Sequence, residues 1–263
     1  MDRFRAASDF RLSNYHPANT HGLNETECEE ILRRNQVRIA ELQNVLYAED
    51  KQSLLILLAS MDTGGKDPII RDVLQAANPQ ACRVTAFKKA SKAEEKHDRF
   101  WRFHQAMPAA GEIGVFNRSY YDELIYRKAH GELDDQSAET EYSHIRNFEA
   151  MLSDNHTRII KVFLHVTKEE QKQRLQERMD DPHRHWELSE ADFRERDYWD
   201  GYMAGFEQAI RLTNTERSAW YLIPAEQKWF RDAAASIIIS EALARMKPEF
   251  PPASMDLSKV ELR

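Results

Sequence analysis

Residues 53–71 read Ser53-Leu-Leu-Ile-Leu-Leu-Ala-Ser-Met-Asp-Thr-Gly-Gly-Lys-Asp-Pro-Ile-Ile-Arg71, and this stretch decides the fold. Its first part, 54–59, is a continuous apolar run, which is typical of a strand buried on both faces of a parallel sheet. The Gly-rich turn 60–66 then leads into a helical pattern. A strand, a glycine turn, a lysine and a helix form the arrangement in which backbone N–H groups and an ammonium group bind phosphate. The stretch therefore predicts a phosphate loop.

This turn departs from the usual pattern G-x-x-x-x-G-K-[ST] at both ends. Ser60 stands where the first glycine would be, and Asp67 stands where a hydroxyl would bind Mg²⁺. An ordinary strand-to-helix turn, in which Gly64 and Gly65 only supply backbone freedom, is therefore an alternative. Asp62 favours the phosphate site, because a carboxylate inside a phosphate loop is repulsive unless a metal ion lies between the two.

The composition limits the classes to which the chain can belong. Its 263 residues, 41% hydrophobic and 31% charged, suit one sizeable α/β domain or two small ones. A net charge of -7 argues against a general nucleic-acid binder, which is usually basic. Two cysteines, Cys28 and Cys82, are too few for a disulfide framework or a metal cluster.

The sequence also argues against a membrane protein. No stretch approaches the ~20 apolar residues that are needed to span a bilayer. The N-terminal residues Met1-Asp-Arg-Phe-Arg5 lack the apolar core of a signal peptide. We therefore expect a cytoplasmic protein.

Short apolar strands alternate with helices along the rest of the chain. Residues 1–23 are predicted to form an arm on the surface, and Asn24 with Glu27 marks the start of a helix over 24–48. Five strands alternating with helices predict a parallel sheet that is covered on both faces, in a single domain. The prediction places a core at 53–246, a tail at 247–263, further strands at 83–87, 111–116, 159–166 and 220–223, helices at 141–152, 189–212 and 228–246, and an acidic surface loop at 129–140.

A basic segment follows the second strand. Between residues 83 and 104 there are seven Lys and Arg against three Asp and Glu, in a chain that is acidic overall. A solvated helix face is one explanation of such a run. A lid that grips phosphates is favoured here, because the run directly follows the strand beside the predicted phosphate loop, at the sheet edge where ligands bind.

Asn117 and Arg118 directly follow the third strand. In folds that handle nucleoside phosphates, the strand beside the phosphate loop ends in a residue that helps to hold Mg²⁺, and Asn117 occupies that place. The structural alternative for Asn117 is an N-cap of the next helix, and the two roles are compatible. Arg118 is suited to neutralising the charge of a phosphoryl group during transfer.

Two arginines share one face of the helix after the fourth strand. Arg174 and Arg178 are four residues apart, so both side chains project from the same side. A basic cluster, 183–185, follows this helix. A mobile lid that faces phosphate explains the cluster better than a zinc site, because no cysteine is near and an arginine separates the two histidines.

Several motifs occur in a fixed order along the chain: Met61-Asp-Thr-Gly-Gly-Lys-Asp67, Gly114-Val-Phe-Asn-Arg-Ser119, Phe163-Leu-His-Val-Thr-Lys-Glu-Glu-Gln171 and Trp220-Tyr-Leu-Ile-Pro-Ala225. Together they resemble the polyphosphate kinase 2 family of P-loop phosphotransferases, and the resemblance extends from about residue 30 to 245. It implies a three-layer α/β/α sandwich of the P-loop kinase type, with a central parallel five-stranded sheet and helical lid segments. It also implies a homodimer or a homotetramer.

The resemblance implies transfer of the terminal phosphoryl group between inorganic polyphosphate and a nucleotide (ADP, AMP or ATP), with Mg²⁺ as the cofactor. It implies catalytic roles for Asp62, Lys66, Asn117, Arg118 and Arg178, and it places Mg²⁺ at Asp62 and Asn117. The residues and the resemblance together give a phosphate-binding set: Thr63, Gly64, Gly65, Lys66, Asp67, Lys88, Lys89, Arg102 and Arg174.

The chain departs from the family pattern at three places. Pro68 stands where the phosphate loop usually continues with glycine, Ala90 lies near a position that is usually proline, and residues 124–144 match poorly. These departures bear on substrate choice and rate, and they do not affect the fold. Two other functions stay open: a non-catalytic polyphosphate-binding protein and an ATP-dependent nucleoside monophosphate kinase.

Overall fold

The computed structural model describes residues 1–256 and 258, and a sheet of five parallel strands lies at its centre. The strands lie in the order β2-β3-β1-β4-β5, so the first strand of the chain is the central one. Each of the five predicted strands is present, and the predicted α/β fold is confirmed. The strands are β1 (Ser53–Ala59), β2 (Cys82–Ala86), β3 (Ile113–Asn117), β4 (Thr157–His165) and β5 (Ser218–Pro224).

Helices cover this sheet in two groups. The helices are α1 (Glu25–Glu49), α2 (Lys66–Pro68), α3 (Trp101–His104), α4 (Asp122–Ala129), α5 (Asp135–Asp154), α6 (Lys168–Asp180), α7 (Glu190–Arg194), α8 (Trp199–Thr213) and α9 (Lys228–Met246). α1 packs on α9, and α4 and α5 pack on α8. α5 and α9 also contact β4, so the sheet lies between the two groups of helices as the middle layer of three.

The central strand explains the position of the predicted phosphate loop. All seven residues of β1 are buried, as the continuous apolar run predicts for a strand with neighbours on both sides. β1 pairs in parallel with β3 and with β4, and Leu58 lies opposite Asn117 in β3. The carboxyl ends of β1 and β3 therefore meet at one edge of the sheet, where ligands of open α/β sheets bind.

Two predicted segments differ in the structure. The helix predicted at 189–212 is broken, because a 3₁₀ turn, Glu195–Tyr198, separates α7 from α8. The Glu195 carboxylate in that turn bonds to His130 at 2.8 Å and accepts a hydrogen bond from the Tyr202 hydroxyl at 2.9 Å, which fixes the break. The loop predicted at 129–140 is shorter, because α5 begins at Asp135. Its N-cap is Asp134, whose side chain accepts a hydrogen bond from the Ser137 amide.

The N-terminal arm is anchored to the core. The capping box of Asn24 and Glu27 is present at the start of α1. The arm before it is anchored more firmly than a surface arm, because Phe4 and Phe10 are buried and the Ala6 amide donates to the Trp220 carbonyl at 2.9 Å. The prediction of a tail at 247–263 falls partly on residues 257 and 259–263, which lie outside the described residues.

No helix in residues 1–256 and 258 combines the length and the apolar character that crossing a bilayer requires.

Candidate functional site

The turn after β1 has the backbone of a tight loop around a buried lysine. Lys66 is 8% exposed, and its Nζ donates to the Ser60 hydroxyl at 2.9 Å and to the Ser60 carbonyl at 3.3 Å. Gly65 has φ of +108°, a conformation that favours glycine. Thr63 also has a positive φ, which is uncommon for a β-branched residue, and its buried Oγ1 has no hydrogen-bond partner among the described residues.

Two side chains of α6 bond to the backbone of this loop on one side, its lower side. Gln171 Nε2 donates to the Asp62 carbonyl at 3.1 Å, and Arg174 Nη1 donates to the Thr63 carbonyl at 3.1 Å. With both carbonyl oxygens bonded, the peptide planes of the loop are fixed. The loop is thus shaped before any ligand binds.

Arg174 was predicted to bind phosphate, and its contacts correct that prediction. It is 5% exposed, its Nε donates to Glu170 at 2.7 Å, and its Nη2 donates to the carbonyls of Ala225 and Glu226. These bonds, together with the one to Thr63, commit the guanidinium to the protein. Arg174 is therefore a positioning residue of the loop.

Asn117 and Arg118 reach the loop from the end of β3. Asn117 Nδ2 donates to Asp67 Oδ1 at 2.6 Å, and Arg118 Nη2 donates to Asp62 Oδ1 at 2.8 Å. The alternative role of Asn117 as a helix cap is wrong, because Tyr121 precedes α4 at its N-cap. The structure thus brings five predicted residues together: Asp62, Lys66, Asp67, Asn117 and Arg118.

The charges at this edge perturb one another. Burial alone would raise the pKa of Asp62, but the nearby charges of Lys66 and Arg118 outweigh it and hold that pKa below its usual value. Burial lowers the pKa of Lys66, although Asp62 opposes this effect. Burial raises the pKa of Asp122, whose carboxylate accepts a hydrogen bond from the Ser119 amide at 2.6 Å.

The basic segment after β2, which was predicted to be a lid, is tied to the end of β3. The Phe87 amide donates to the Asn117 carbonyl at 3.1 Å. Arg102 Nη1 donates to the Lys88 carbonyl at 2.8 Å, and its guanidinium lies 4.7 Å from the centre of the Phe103 ring. Arg102 therefore secures the segment, while the Lys88 side chain is exposed, as is that of the adjacent Lys89.

The second predicted lid segment, Pro182–Glu187, follows α6. Arg178 Nε pairs with Glu187 at 3.1 Å, and Arg184 pairs with the same carboxylate at 3.0 Å. Arg178 thus links α6 to the 3₁₀ segment Pro182–Glu187, and the structure does not bring it into contact with the phosphate loop. Trp186 in this segment is 83% exposed.

Three neighbours of the loop were not predicted as site residues: Gln171, Asp192 and Arg231. Gln171 is three residues before Arg174 on one helix face, and this spacing is a signal that was available. Asp192 lies next to Asp62, but its sequence shows only a capping box with Ser189. Arg231 is buried in α9 next to the buried Asp232, and buried charged residues are rare unless they are paired.

The match to known proteins agrees with this geometry. Residues 22–251, most of the chain, match the family model of polyphosphate kinase 2. The chain belongs to the polyphosphate kinase 2 family. The family that the motifs predicted is thereby confirmed.

Several known proteins are similar to this chain over most of their length. The AMP/ADP-polyphosphate phosphotransferase of Meiothermus ruber is 39% identical, over 95% of this chain and 96% of that protein. The ADP-polyphosphate phosphotransferase of Rhodopseudomonas palustris is also 39% identical, over 84% of this chain and 81% of that protein. The crystal structure of polyphosphate kinase 2 from Arthrobacter aurescens TC1 has a TM-score of 0.92 at 38% identity, over 98% of this chain and 93% of that chain.

Proposed function

We propose that this protein is a Mg²⁺-dependent phosphotransferase that moves the terminal phosphoryl group between inorganic polyphosphate and a nucleotide. The observation that carries the proposal is the meeting of Lys66, Arg118 and the carboxylate of Asp62 at the carboxyl ends of β1 and β3. Phosphoryl transfer asks a protein for positioning and charge neutralisation, with little covalent chemistry of its own. A fixed loop with a lysine and an arginine meets that requirement.

Each residue then has a defined task. Lys66 and Arg118 stabilise negative charge on the phosphoryl oxygens during transfer. The accepting oxygen of a nucleotide phosphate is already ionised near neutral pH, so the site needs no strong general base. Asp62 is for this reason better suited to holding a metal ion or positioning phosphate than to accepting a proton.

The residues at the site fit Mg²⁺. Asp62, Asp67 and Asn117 supply the hard oxygen donors that Mg²⁺ prefers, and Asp122 adds a further carboxylate to the same charge cluster. The described residues contain no group of three or more His, Cys, Asp or Glu that could hold a metal ion alone. Mg²⁺ is usually held by one or two carboxylates together with substrate phosphates. When bound there, the ion supplies neutralisation of charge on the phosphate oxygens.

For the acceptor, we propose ADP and also AMP. The name of the Meiothermus ruber relative includes both AMP and ADP, whereas that of the Rhodopseudomonas palustris relative includes ADP alone. The two are equally identical to this chain, but the first aligns with more of it. We further propose that the enzyme is a cytoplasmic homodimer or homotetramer. Both cysteines, Cys28 and Cys82, are free, which suits a reducing compartment.

The test is product formation from polyphosphate with ADP and, separately, with AMP, each with and without Mg²⁺. We expect ATP from ADP and ADP from AMP, both only with the metal. Product from ADP alone would contradict the broader acceptor range. A folded sample that binds polyphosphate and forms neither product would instead support a non-catalytic polyphosphate-binding protein. Light scattering on the same sample tests the oligomeric state.

A further inference from the structure

Arg231, the fourth residue of α9, lies directly against the phosphate loop. It is 3% exposed, and a Cβ atom added to Gly65 would lie 2.5 Å from its Nη1 and 2.7 Å from its Cδ. Gly65 is the residue immediately before Lys66, at the start of the loop helix. The guanidinium therefore occupies the space that the missing side chain of Gly65 leaves free.

The neighbouring Asp232 fixes the direction of this guanidinium. Arg231 Nε donates to Asp232 Oδ1 at 2.8 Å, and Nη2 donates to Oδ2 at 2.9 Å, which is a two-point ion pair. Nη1, the nitrogen beside Gly65, has no hydrogen-bond acceptor among residues 1–256 and 258. Nη1 therefore keeps N–H groups that are able to donate to an anion beside Gly65.

Arg174, the other arginine below the loop, provides a contrast. Its guanidinium donates hydrogen bonds to Glu170 and to three backbone carbonyls, so its acceptors come from the protein itself. Within the described part of the chain, the Arg231 side chain bonds to Asp232 alone, through Nε and Nη2 and not through the Nη1 that lies beside Gly65. Arg174 is equipped to position the loop, whereas Arg231 is equipped to bind an anion that the loop receives.

We propose that Arg231 is a further phosphate-binding residue, whose Nη1 donates to an oxygen of the polyphosphate chain held at Gly65 and Lys66. This inference rests on the proposed function. The competing explanation is that Arg231 only fills the space beneath Gly65 and supports the loop.

Calorimetric titration of tripolyphosphate into the full chain distinguishes the two explanations. The variants are R231Q and, as a matched control, K228Q, which removes the same charge from the same helix but at an exposed ion pair with Glu177. Because a hydrogen bond to a charged group contributes about 1.5–3 kcal/mol, R231Q should weaken binding by roughly 10- to 100-fold. K228Q should change it by less than about twofold. An affinity of R231Q within twofold of that of K228Q would overturn the proposal.

Thermal unfolding of both variants by circular dichroism controls for damage to the fold. If R231Q does not fold, R231K decides, because lysine keeps the charge but cannot pair with Asp232 and donate beside Gly65 at once. A loss of at least threefold in affinity at an unchanged melting temperature supports the contact, and an unchanged affinity overturns it. Failure of the unmodified protein to bind tripolyphosphate would contradict the proposed function itself.

Discussion

The phosphate loop has two sides that are built differently. Its lower side is held by Gln171 and Arg174, which donate hydrogen bonds to two of its carbonyl oxygens. Both residues lie on α6, more than 100 residues after the loop in the chain. Its open side is formed by Asp62, Lys66 and Arg118, which come from the loop itself and from the neighbouring strand. The bonds from Gln171 and Arg174 fix the shape of the loop, while Asp62, Lys66 and Arg118 are the residues proposed to carry the chemistry.

The charges of the two sides differ as well. Arg174 and Arg231 below the loop are each paired with an adjacent carboxylate. On the open side, Lys66 and Arg118 face more carboxylates than they can neutralise, namely Asp62, Asp67, Asp122 and Asp192. We therefore expect a polyanionic substrate to need an added cation beside Asp62 and none beside Arg174 and Arg231. This asymmetry is the physical reason to expect dependence on Mg²⁺.

The largest effect is expected on the open side, from Lys66→Ala. Removing the buried ammonium should lower kcat for ATP formation by at least about 10²–10³-fold, the range seen when one stabilising donor of a transition state is lost. The melting temperature should change much less than kcat, because burial penalises the ammonium and lowers its pKa, so that removing the charge relieves this penalty. Activity close to that of the unmodified enzyme would remove the loop from the mechanism.

On the lower side, Arg174→Ala should affect stability as strongly as activity. The substitution leaves the partly buried Glu170 carboxylate without its partner and removes the hydrogen bond to the Thr63 carbonyl. Breaking a buried ion pair typically costs about 3–5 kcal/mol of stability. Denaturant unfolding measures this loss, and Arg174→Lys should restore part of it. A stable variant with only a raised KM for polyphosphate would instead make Arg174 a direct phosphate ligand.

A smaller effect is expected in the second lid segment, from Arg178→Ala. Its partly exposed ion pair with Glu187 should contribute less than about 1 kcal/mol to the position of the segment, equivalent to a change of up to about fivefold in KM for polyphosphate. Steady-state kinetics with Arg184→Ala as a control checks this expectation. A loss as large as that of Lys66→Ala would show that Arg178 reaches the transferring phosphoryl group.

The smallest effect on activity is expected at His165, at the end of β4, whose side chain makes no hydrogen bond to the loop in the described part of the chain. Burial lowers its pKa from 6.5 to about 4, despite the nearby Glu226 carboxylate. The unfolded chain therefore takes up the proton first, and stability should fall as the pH drops from about 6.5 to about 4, by at most about 3 kcal/mol. His165→Gln should flatten this part of the unfolding profile. An equally steep profile in that variant would assign the effect to other groups.

Features that depend on a local sequence pattern could be predicted from the sequence. The apolar run of β1, the capping box of Asn24 and the register of polar residues after β1 and β3 are all local features, and the structure contains them. The fold and the residues of the open side could therefore be predicted from sequence motifs. The break at Glu195 was not, because it depends on His130, which is 65 residues away in the chain.

The lower side of the loop was hidden for the same reason. The contacts of Arg174 with Thr63 and of Arg231 with Gly65 join residues that are more than 100 positions apart. A helix pattern shows that an arginine shares a face with other residues, but it does not show whether the guanidinium meets a carbonyl oxygen or a ligand. Only the packing of α6 and α9 below the loop separates positioning residues from binding residues.

The most direct test of the asymmetry is the binding of tripolyphosphate to Asp62→Asn and to the unmodified protein, with and without Mg²⁺. Without the metal, the variant should bind tripolyphosphate more tightly than the unmodified protein, because one repelling carboxylate is gone while its size is kept. With Mg²⁺, the order should reverse, because the variant has lost a metal ligand. Weaker binding by the variant under both conditions would contradict the claim that the open side requires an added cation.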